Sequence, residues 1–208
     1  FGPMRDVYVG PRKISGVVTP PPSKSDAHRA LIAAALCRSP CQIIGLPEPL
    51  SMDLMATRRC LEALLSGKAL LDCGESGTTL RLLIPIAGAL PPSIRADTVT
   101  FTGGGRLPYR PLSEYRDILE PFGLTLQFPP DAFLPLKLSG QLQPGVFGVP
   151  GHISSQYLSG LLFALPLLSR PSEIYLTTTL ESAPYVAMTI RTLARFGVRV
   201  EPVQNGFY

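Results

Sequence analysis

Three helix-length stretches of this chain have no polar face. They are Lys24–Cys37 (KSDAHRALIAAALC), Gly77–Leu90 (GTTLRLLIPIAGAL) and Ser154–Leu168 (SSQYLSGLLFALPLL). A helix that is apolar all round must be buried in the centre of a structure. None of the three is a membrane span. The longest nearly apolar run, Leu158 to Leu168, is about half of the ~20 residues needed, and Pro166 interrupts it. The chain must therefore pack these helices together and cover them. Its 208 residues suffice, because a chain of this length buries roughly 70% of its unfolded surface without disulfide or metal staples. With 45% hydrophobic and 16% charged residues, it cannot be a disordered segment.

Amphipathic helices alternate with the apolar ones, at Asp53–Leu65, Pro111–Phe122 and Pro184–Phe196. Two of them end in Phe-Gly, where Gly123 and Gly197 suit a left-handed C-cap. Pro111 and Pro184 suit the first helical position. Strand-like segments lie at Asp6–Ile14, Gln42–Gly45, Thr98–Thr102, Leu124–Phe128, Glu173–Thr178 and Val198–Val203. Helix starts near 24, 52, 77, 111, 154 and 184 form three pairs. They predict an α/β chain, residues 1–208 as a single domain of three repeated βαβαββ-type units (approximately 1–75, 76–145 and 146–208). The buried helices are expected at the middle and the sheets outside. The last strand, Glu201 to Tyr208, predicts that more sequence follows it.

Residues Arg5, Asp6, Arg12 and Lys13 precede no apolar segment of the secretory kind, so a cytoplasmic setting is expected. Cys37, Cys41, Cys60 and Cys73 lack CxxC spacing and are expected as buried free thiols. The 23 Pro are dispersed and punctuate elements. The basic balance is mostly Arg: 15 Arg against 4 Lys, net charge +4. Arg is the residue suited to bidentate phosphate and carboxylate contacts.

The three apolar helices open alike, on Ser23-Lys24-Ser25-Asp26-Ala27-His28-Arg29, Glu75-Ser76-Gly77-Thr78-Thr79-Leu80-Arg81 and His152-Ile153-Ser154-Ser155-Gln156. A helix start offers unpaired N–H groups and a partial positive charge, which attract anions. Plain N-capping by Ser and Thr would account for the hydroxyls. It does not account for Arg29 and Arg81, each a lone Arg inside an apolar helix. Each must meet an external anion or an internal carboxylate such as Asp26 or Glu75. Thr102 to Pro111 (TGGGRLPYRP) is a Gly-rich loop with Arg106 and Arg110; it is neither a P-loop nor a dinucleotide fingerprint. His28 and His152 are too few for a metal site and read as capping or surface residues. Arg58, Arg59, Arg191 and Arg195 read as solvated.

These residues resemble the enolpyruvyl transferases, and within them the 5-enolpyruvylshikimate-3-phosphate synthases. Ser23-Lys24-Ser25 with Arg29-Ala30-Leu31 is similar to the first family signature, and Gly77-Thr78-Thr79 with Arg81 to the second. The Gly-rich loop with paired Arg, Ser154-Ser155-Gln156-Tyr157 and Ser182-x-Pro184-Tyr185 match in family order. The resemblance implies a two-domain enzyme of which this chain is the half that chiefly holds shikimate 3-phosphate, with residues 1–15 belonging structurally to the other half. It implies transfer of the enolpyruvyl group from phosphoenolpyruvate to the 5-hydroxyl of shikimate 3-phosphate. It also implies no metal or organic cofactor, a monomer, and no nucleic-acid or membrane partner. By matched position, Lys24 would touch both substrates and balance charge. Ser25 and Arg29 would bind the shikimate ring oxygens and carboxylate. Gly77 and Thr78 would pack against phosphoenolpyruvate, Arg81 would organise that side, and Arg106 would clamp it. Ser154, Ser155, Ser182 and Tyr185 would hold the shikimate phosphate and nearby groups, and Gln156 would touch both ligands.

Two features depart from the family pattern. Glu75-Ser76 stands where Asn-Ala is commonest, and a carboxylate near two anions is unfavourable unless it pairs with Arg81 or Arg106 or points away. Gly103-Gly104-Gly105 replaces a more polar loop sequence, which leaves the register of Arg106 open. The proton-transfer groups implied for the second half match nothing here, so the chain is expected to be inactive alone. A UDP-N-acetylglucosamine enolpyruvyl transferase would have Lys-Asn at Lys24-Ser25 and a loop Cys. An anion- or RNA-phosphate-binding module on the same repeat is the alternative from another class, and would show steeply salt-dependent RNA binding.

Overall fold

The computed structural model describes residue 8 and residues 10–13, 15–37, 39–46 and 48–208. All six expected helices form. They are α1 (Lys24–Leu36), α2 (Met52–Leu65), α3 (Gly77–Ala89), α4 (Glu114–Leu119), α5 (Ser155–Ala164) and α6 (Ala183–Arg195). Each apolar helix starts on a serine cap. Ser23 Oγ accepts from Asp26 N, Ser76 Oγ from Thr79 N and Ser154 Oγ from Gln156 N. Proline sets two ends differently from the sequence reading. The fourth helix begins at Glu114 and not at Pro111, and it closes in a 3-10 turn, Glu120–Phe122, around Pro121. α5 likewise gives way to a 3-10 turn, Leu165–Leu167, at Pro166, where the missing N–H cannot continue the helix. The expected glycine cap is in place at Gly123, with φ +92°.

Two four-stranded sheets share one topology. In the first, β1 (Leu70–Asp72), β2 (Thr98–Thr102), β3 (Leu124–Gln127) and β4 (Leu136–Gly140) lie in the order β1-β2-β4-β3. In the second, β5 (Val146–Val149), β6 (Glu173–Leu176), β7 (Pro202–Val203) and β8 (Gly206–Phe207) lie in the order β5-β6-β8-β7. In each sheet the first pair is parallel and the other two pairs are antiparallel. Each unit runs βαβαββ, and alternation puts one strand face inward, as at Leu124 and Leu126 of β3.

Several strand expectations are corrected. Gln42–Gly45 forms no strand, and Val198–Val203 contributes only Pro202–Val203. Of Asp6–Ile14, residues 6, 7, 9 and 14 lie outside the described residues, and the rest carries no strand. Among the described residues, α1 and α2 therefore have no strand of their own. The strands at Leu70–Asp72, Leu136–Gly140 and Val146–Val149 were not among the sequence expectations.

α3 and α5 are the centre. α3 buries eleven of its 13 residues, Gly77, Thr79, Leu80 and the unbroken run from Leu82 to Ala89. The two helices approach closely because α5 carries Gly160 at the crossing. Pro85 lies inside α3 and has no N–H for the carbonyl of Arg81, four residues back. The Tyr115 hydroxyl donates to that carbonyl at 2.6 Å, so the broken ladder is repaired from α4. Among the described residues the four cysteines are free; Cys60 and Cys73 are buried, but Cys37 is half-buried and Cys41 exposed, a correction to the expectation of four buried thiols.

Candidate active site

The fold brings the starts of the apolar helices together. Gln156, in the first turn of α5, donates from Nε2 to Thr78 Oγ1 at 3.0 Å and accepts from Arg81 Nη1 at 3.1 Å. One side chain thus joins the starts of α3 and α5. Arg81 Nη2 donates to the Pro111 carbonyl at 3.1 Å, and its Nε is buried without a partner. The guanidinium sits 6.0 Å from the Tyr157 ring centroid. Arg81 makes no ion pair among the described residues. It keeps a full charge against neutral groups, with unused donor capacity.

Gly77 explains itself by what surrounds it. A Cβ there would lie 2.8 Å from Arg110 Nη1 and 3.2 Å from Arg81 Nη1. Two guanidinium groups therefore cover the start of α3, and a Cβ there would push their ends aside. Arg106 is not among the groups nearest that position, although both Arg106 and Arg110 are exposed. The sequence reading names Arg106 as the clamp. The 3-10 turn Leu107–Tyr109 carries Arg110, not Arg106, back onto the helix.

Glu75 forms no ion pair with Arg81 or Arg106. Its carboxylate lies against Gly105, whose φ of +57° and missing side chain leave the space. At the start of α1, Lys24 Nζ is 2.6 Å from Asp53 Oδ2, with more than half of the Lys24 side chain exposed. A pair this open contributes little to stability and leaves the ammonium available. Ser25 is half-buried in the same turn.

Arg29 has partners that the sequence reading did not name. It is 2% exposed and makes no ion pair among the described residues. Nε donates to Thr189 Oγ1 at 2.7 Å, Nη1 to the Ser25 carbonyl at 2.8 Å, and Nη2 to Ser159 Oγ and the Tyr185 carbonyl at 3.2 Å each. The guanidinium thereby ties α1 to α5 and α6, with one of its five N–H groups left over. Burial lowers its pKa, and Asp26 acts in the opposite sense. Tyr185 stacks near it at 6.0 Å and stays half exposed, Ser182 is half-buried at the start of α6, and Ser155 is buried.

His28 was read as a capping or surface residue and is neither. It is 1% exposed, and its Nδ1 lies 2.7 Å from Thr57 Oγ1. Burial pushes its pKa down to about 4, against an opposing pull from Asp53 and further lowering by Lys24 and Arg29. The unfolded chain, with the ordinary value of 6.5, binds the extra proton first. His28 therefore costs no stability above pH 6.5, and the penalty grows as pH falls toward 4, reaching about 3 kcal/mol. Urea midpoints measured between pH 7.5 and 4 should fall more steeply in the native chain than in His28→Gln; parallel curves would refute this. His152 is exposed and bonds Thr178, as a surface histidine should. Arg95 escaped the sequence reading: it is 5% exposed and clamps the carbonyls of Leu90, Ala96, Asp97 and Gly140, a structural use that no motif signals.

The fold and a clustered set of helix starts define the class first. The solved structure of EPSP synthase from Acinetobacter baumannii shares this fold with a TM-score of 0.75 at 22% identity, covering 92% of this chain and 46% of that one. The sequence narrows the class. The family model EPSP synthase (3-phosphoshikimate 1-carboxyvinyltransferase) matches residues 9–67 and 52–208. The 3-phosphoshikimate 1-carboxyvinyltransferase of Clostridium acetobutylicum is 39% identical over 220 residues, 95% of this chain and 50% of its own length. That of Clostridium kluyveri is 40% identical over 217 residues, 95% of this chain and 49% of its own. The chain belongs to the EPSP synthase family, and it spans about half the length of the curated relatives it matches.

Proposed function

We propose that this chain is the shikimate-3-phosphate-binding half of a 3-phosphoshikimate 1-carboxyvinyltransferase, folded as one domain of three units. The observation that carries the reading is the Gln156 bridge between Thr78 and Arg81, with Arg110 closing over Gly77. Helix starts, hydroxyls and two guanidinium groups converge there, and neither guanidinium makes an ion pair among the described residues. Two polyanionic substrates fit that demand.

In the proposed reaction the 5-hydroxyl of shikimate 3-phosphate adds to C2 of phosphoenolpyruvate as C3 takes a proton. Loss of phosphate and of a C3 proton then leaves the enol ether. Lys24, released from Asp53, touches both substrates and offsets the charge that moves onto the departing phosphate. Ser25 and the spare N–H of Arg29 meet the shikimate carboxylate and ring oxygens. Ser154, Ser155, Ser182 and Tyr185 hold the shikimate phosphate and the groups beside it, and Gln156 meets both ligands. Gly77 and Thr78 pack against phosphoenolpyruvate. Arg110, with Arg81, takes the clamping role that the sequence reading gave to Arg106. The proton-transfer groups belong to the remaining half of the enzyme.

Calorimetric titration of the folded chain with shikimate 3-phosphate tests the reading. Binding in the millimolar range or tighter is expected, without turnover; no heat at millimolar ligand would overturn it. With shikimate 3-phosphate saturating, Arg110→Ala should weaken phosphoenolpyruvate binding roughly tenfold or more, as loss of a charge-assisted contact implies. Arg106→Ala should leave it nearly unchanged. The reverse ranking would return the clamp to Arg106.

A further inference from the structure

A buried line of hydroxyls runs through three helices and ends at the start of α3. His28 Nδ1 on α1 is 2.7 Å from Thr57 Oγ1 on α2. Thr57 Oγ1 is 2.7 Å from Thr79 Oγ1 on α3, and that atom is 2.7 Å from Ser76 Oγ, the α3 cap. Thr57 and Thr79 are wholly buried, and Ser76 is 2% exposed. The line is anchored twice more. Thr79 Oγ1 lies 3.3 Å from the Asp53 carbonyl, and Ser76 Oγ accepts from Thr79 N at 3.2 Å.

Both ends adjoin the proposed site. Gly77 and Thr78 directly follow Ser76. Lys24 lies one turn before His28, and the same Asp53 that meets Thr79 through its carbonyl holds Lys24 through its carboxylate. Apolar side chains would fill this space at lower desolvation cost, and His28 Nε2 is left buried without a partner. What a row of short hydrogen bonds adds over methyl packing is fixed distance and orientation, because a slip of a few tenths of an ångström breaks it.

We propose that Thr79 and Thr57, backed by His28, are positioning residues for the phosphoenolpyruvate end of the site. They fix the first turn of α3, and so the amides of Gly77 and Thr78, relative to Lys24. The proposal rests on the functional reading above and deepens it. It separates two ends of one site: the line reaches α3 and does not touch α5 or α6, where shikimate 3-phosphate is held in that reading.

The test uses the isotope-labelled 208-residue chain, with amide shifts of Gly77 and Thr78 followed as phosphoenolpyruvate is added with and without shikimate 3-phosphate. Thr79→Val removes the hydroxyl at nearly constant volume. It should raise the phosphoenolpyruvate dissociation constant roughly fivefold, about the worth of one hydrogen bond. It should leave shikimate 3-phosphate binding within about twofold, and Thr79→Ser should restore native affinity. Thr57→Val should act in the same direction, and the double variant should lose less than the two singles combined. A purely structural role would lower the melting temperature and leave the ratio of the two affinities unchanged, which overturns the proposal. If Thr79→Val does not fold, native phosphoenolpyruvate affinity in Thr57→Val overturns it equally. A native chain that binds shikimate 3-phosphate but shows no phosphoenolpyruvate response at Gly77 overturns the placement of that ligand. A native chain that answers neither ligand overturns the functional reading itself.

Discussion

Gly160→Val is expected to unfold the chain or to destabilise it by at least about 3 kcal/mol, the upper range for overpacked cores. A Cβ at Gly160 would lie 2.8 Å from Pro85 Cγ and 2.9 Å from the Arg81 carbonyl oxygen. Neither neighbour can yield cheaply. The first is a ring locked into the α3 backbone, and the second is a carbonyl already held by Tyr115. Gly160→Ala gives the graded version. Alanine recovers about 1 kcal/mol of helix propensity, which offsets part of the clash. Urea denaturation followed by circular dichroism should therefore order the three chains native, Ala, Val in falling midpoint. An alanine variant at least as stable as the native chain would sink the idea that α3 and α5 touch here backbone to backbone. The crossing also matters for the site. Separating the helices would pull Gln156 from Arg81 and Thr78, so ligand binding should fall with stability.

Arg29→Ala should lose both stability, by about 3 kcal/mol, and shikimate 3-phosphate binding. The stability loss follows from burial. The guanidinium supplies four hydrogen bonds across α1, α5 and α6, and alanine leaves a cavity lined by the groups it served. Thr189 and Ser159 still reach each other at 2.8 Å, so the loss stays below that of a broken buried ion pair. Arg29→Lys keeps the charge, but an ammonium cannot span the same four acceptors, so it should recover only part of either quantity. An Arg29→Ala chain with a native urea midpoint would show that the hydrogen bonds contribute nothing.

Much of this was legible beforehand because the signals are local. Apolar periodicity located every helix, and serine at each apolar start gave the caps. The pattern at Leu124–Gln127 gave a strand, because alternation there runs into the sheet without interruption. Failures came where the cause lies elsewhere in the chain. Gln42–Gly45 has strand-like residues but no paired neighbour among the described residues. Val146–Val149 is a strand chiefly because β6 lies parallel beside it. Cys41 is exposed although Ile43 and Ile44 follow close behind it, since burial depends on what packs against a segment.

The amino-acid sequence by itself determined that three helices must be buried together, that each starts on a serine cap, and which family signatures those starts carry. These follow from short-range chemistry: periodicity, cap hydrogen bonds and the absence of polar faces. Tertiary structure alone decided which cations face one another. Arg106 and Arg110 are alike in sequence, yet only Arg110 lies over Gly77. Arg29 and Arg81 both interrupt apolar helices without an ion pair among the described residues, yet Arg29 makes four hydrogen bonds to neutral oxygens across three helices, while Arg81 makes two and leaves Nε unpartnered. His28 sits in the same α1 turn as Arg29 and was driven inward to meet Thr57. The partner of a buried polar group is set by helix crossing and by residues 29 to 160 positions away, and no local pattern encodes those distances.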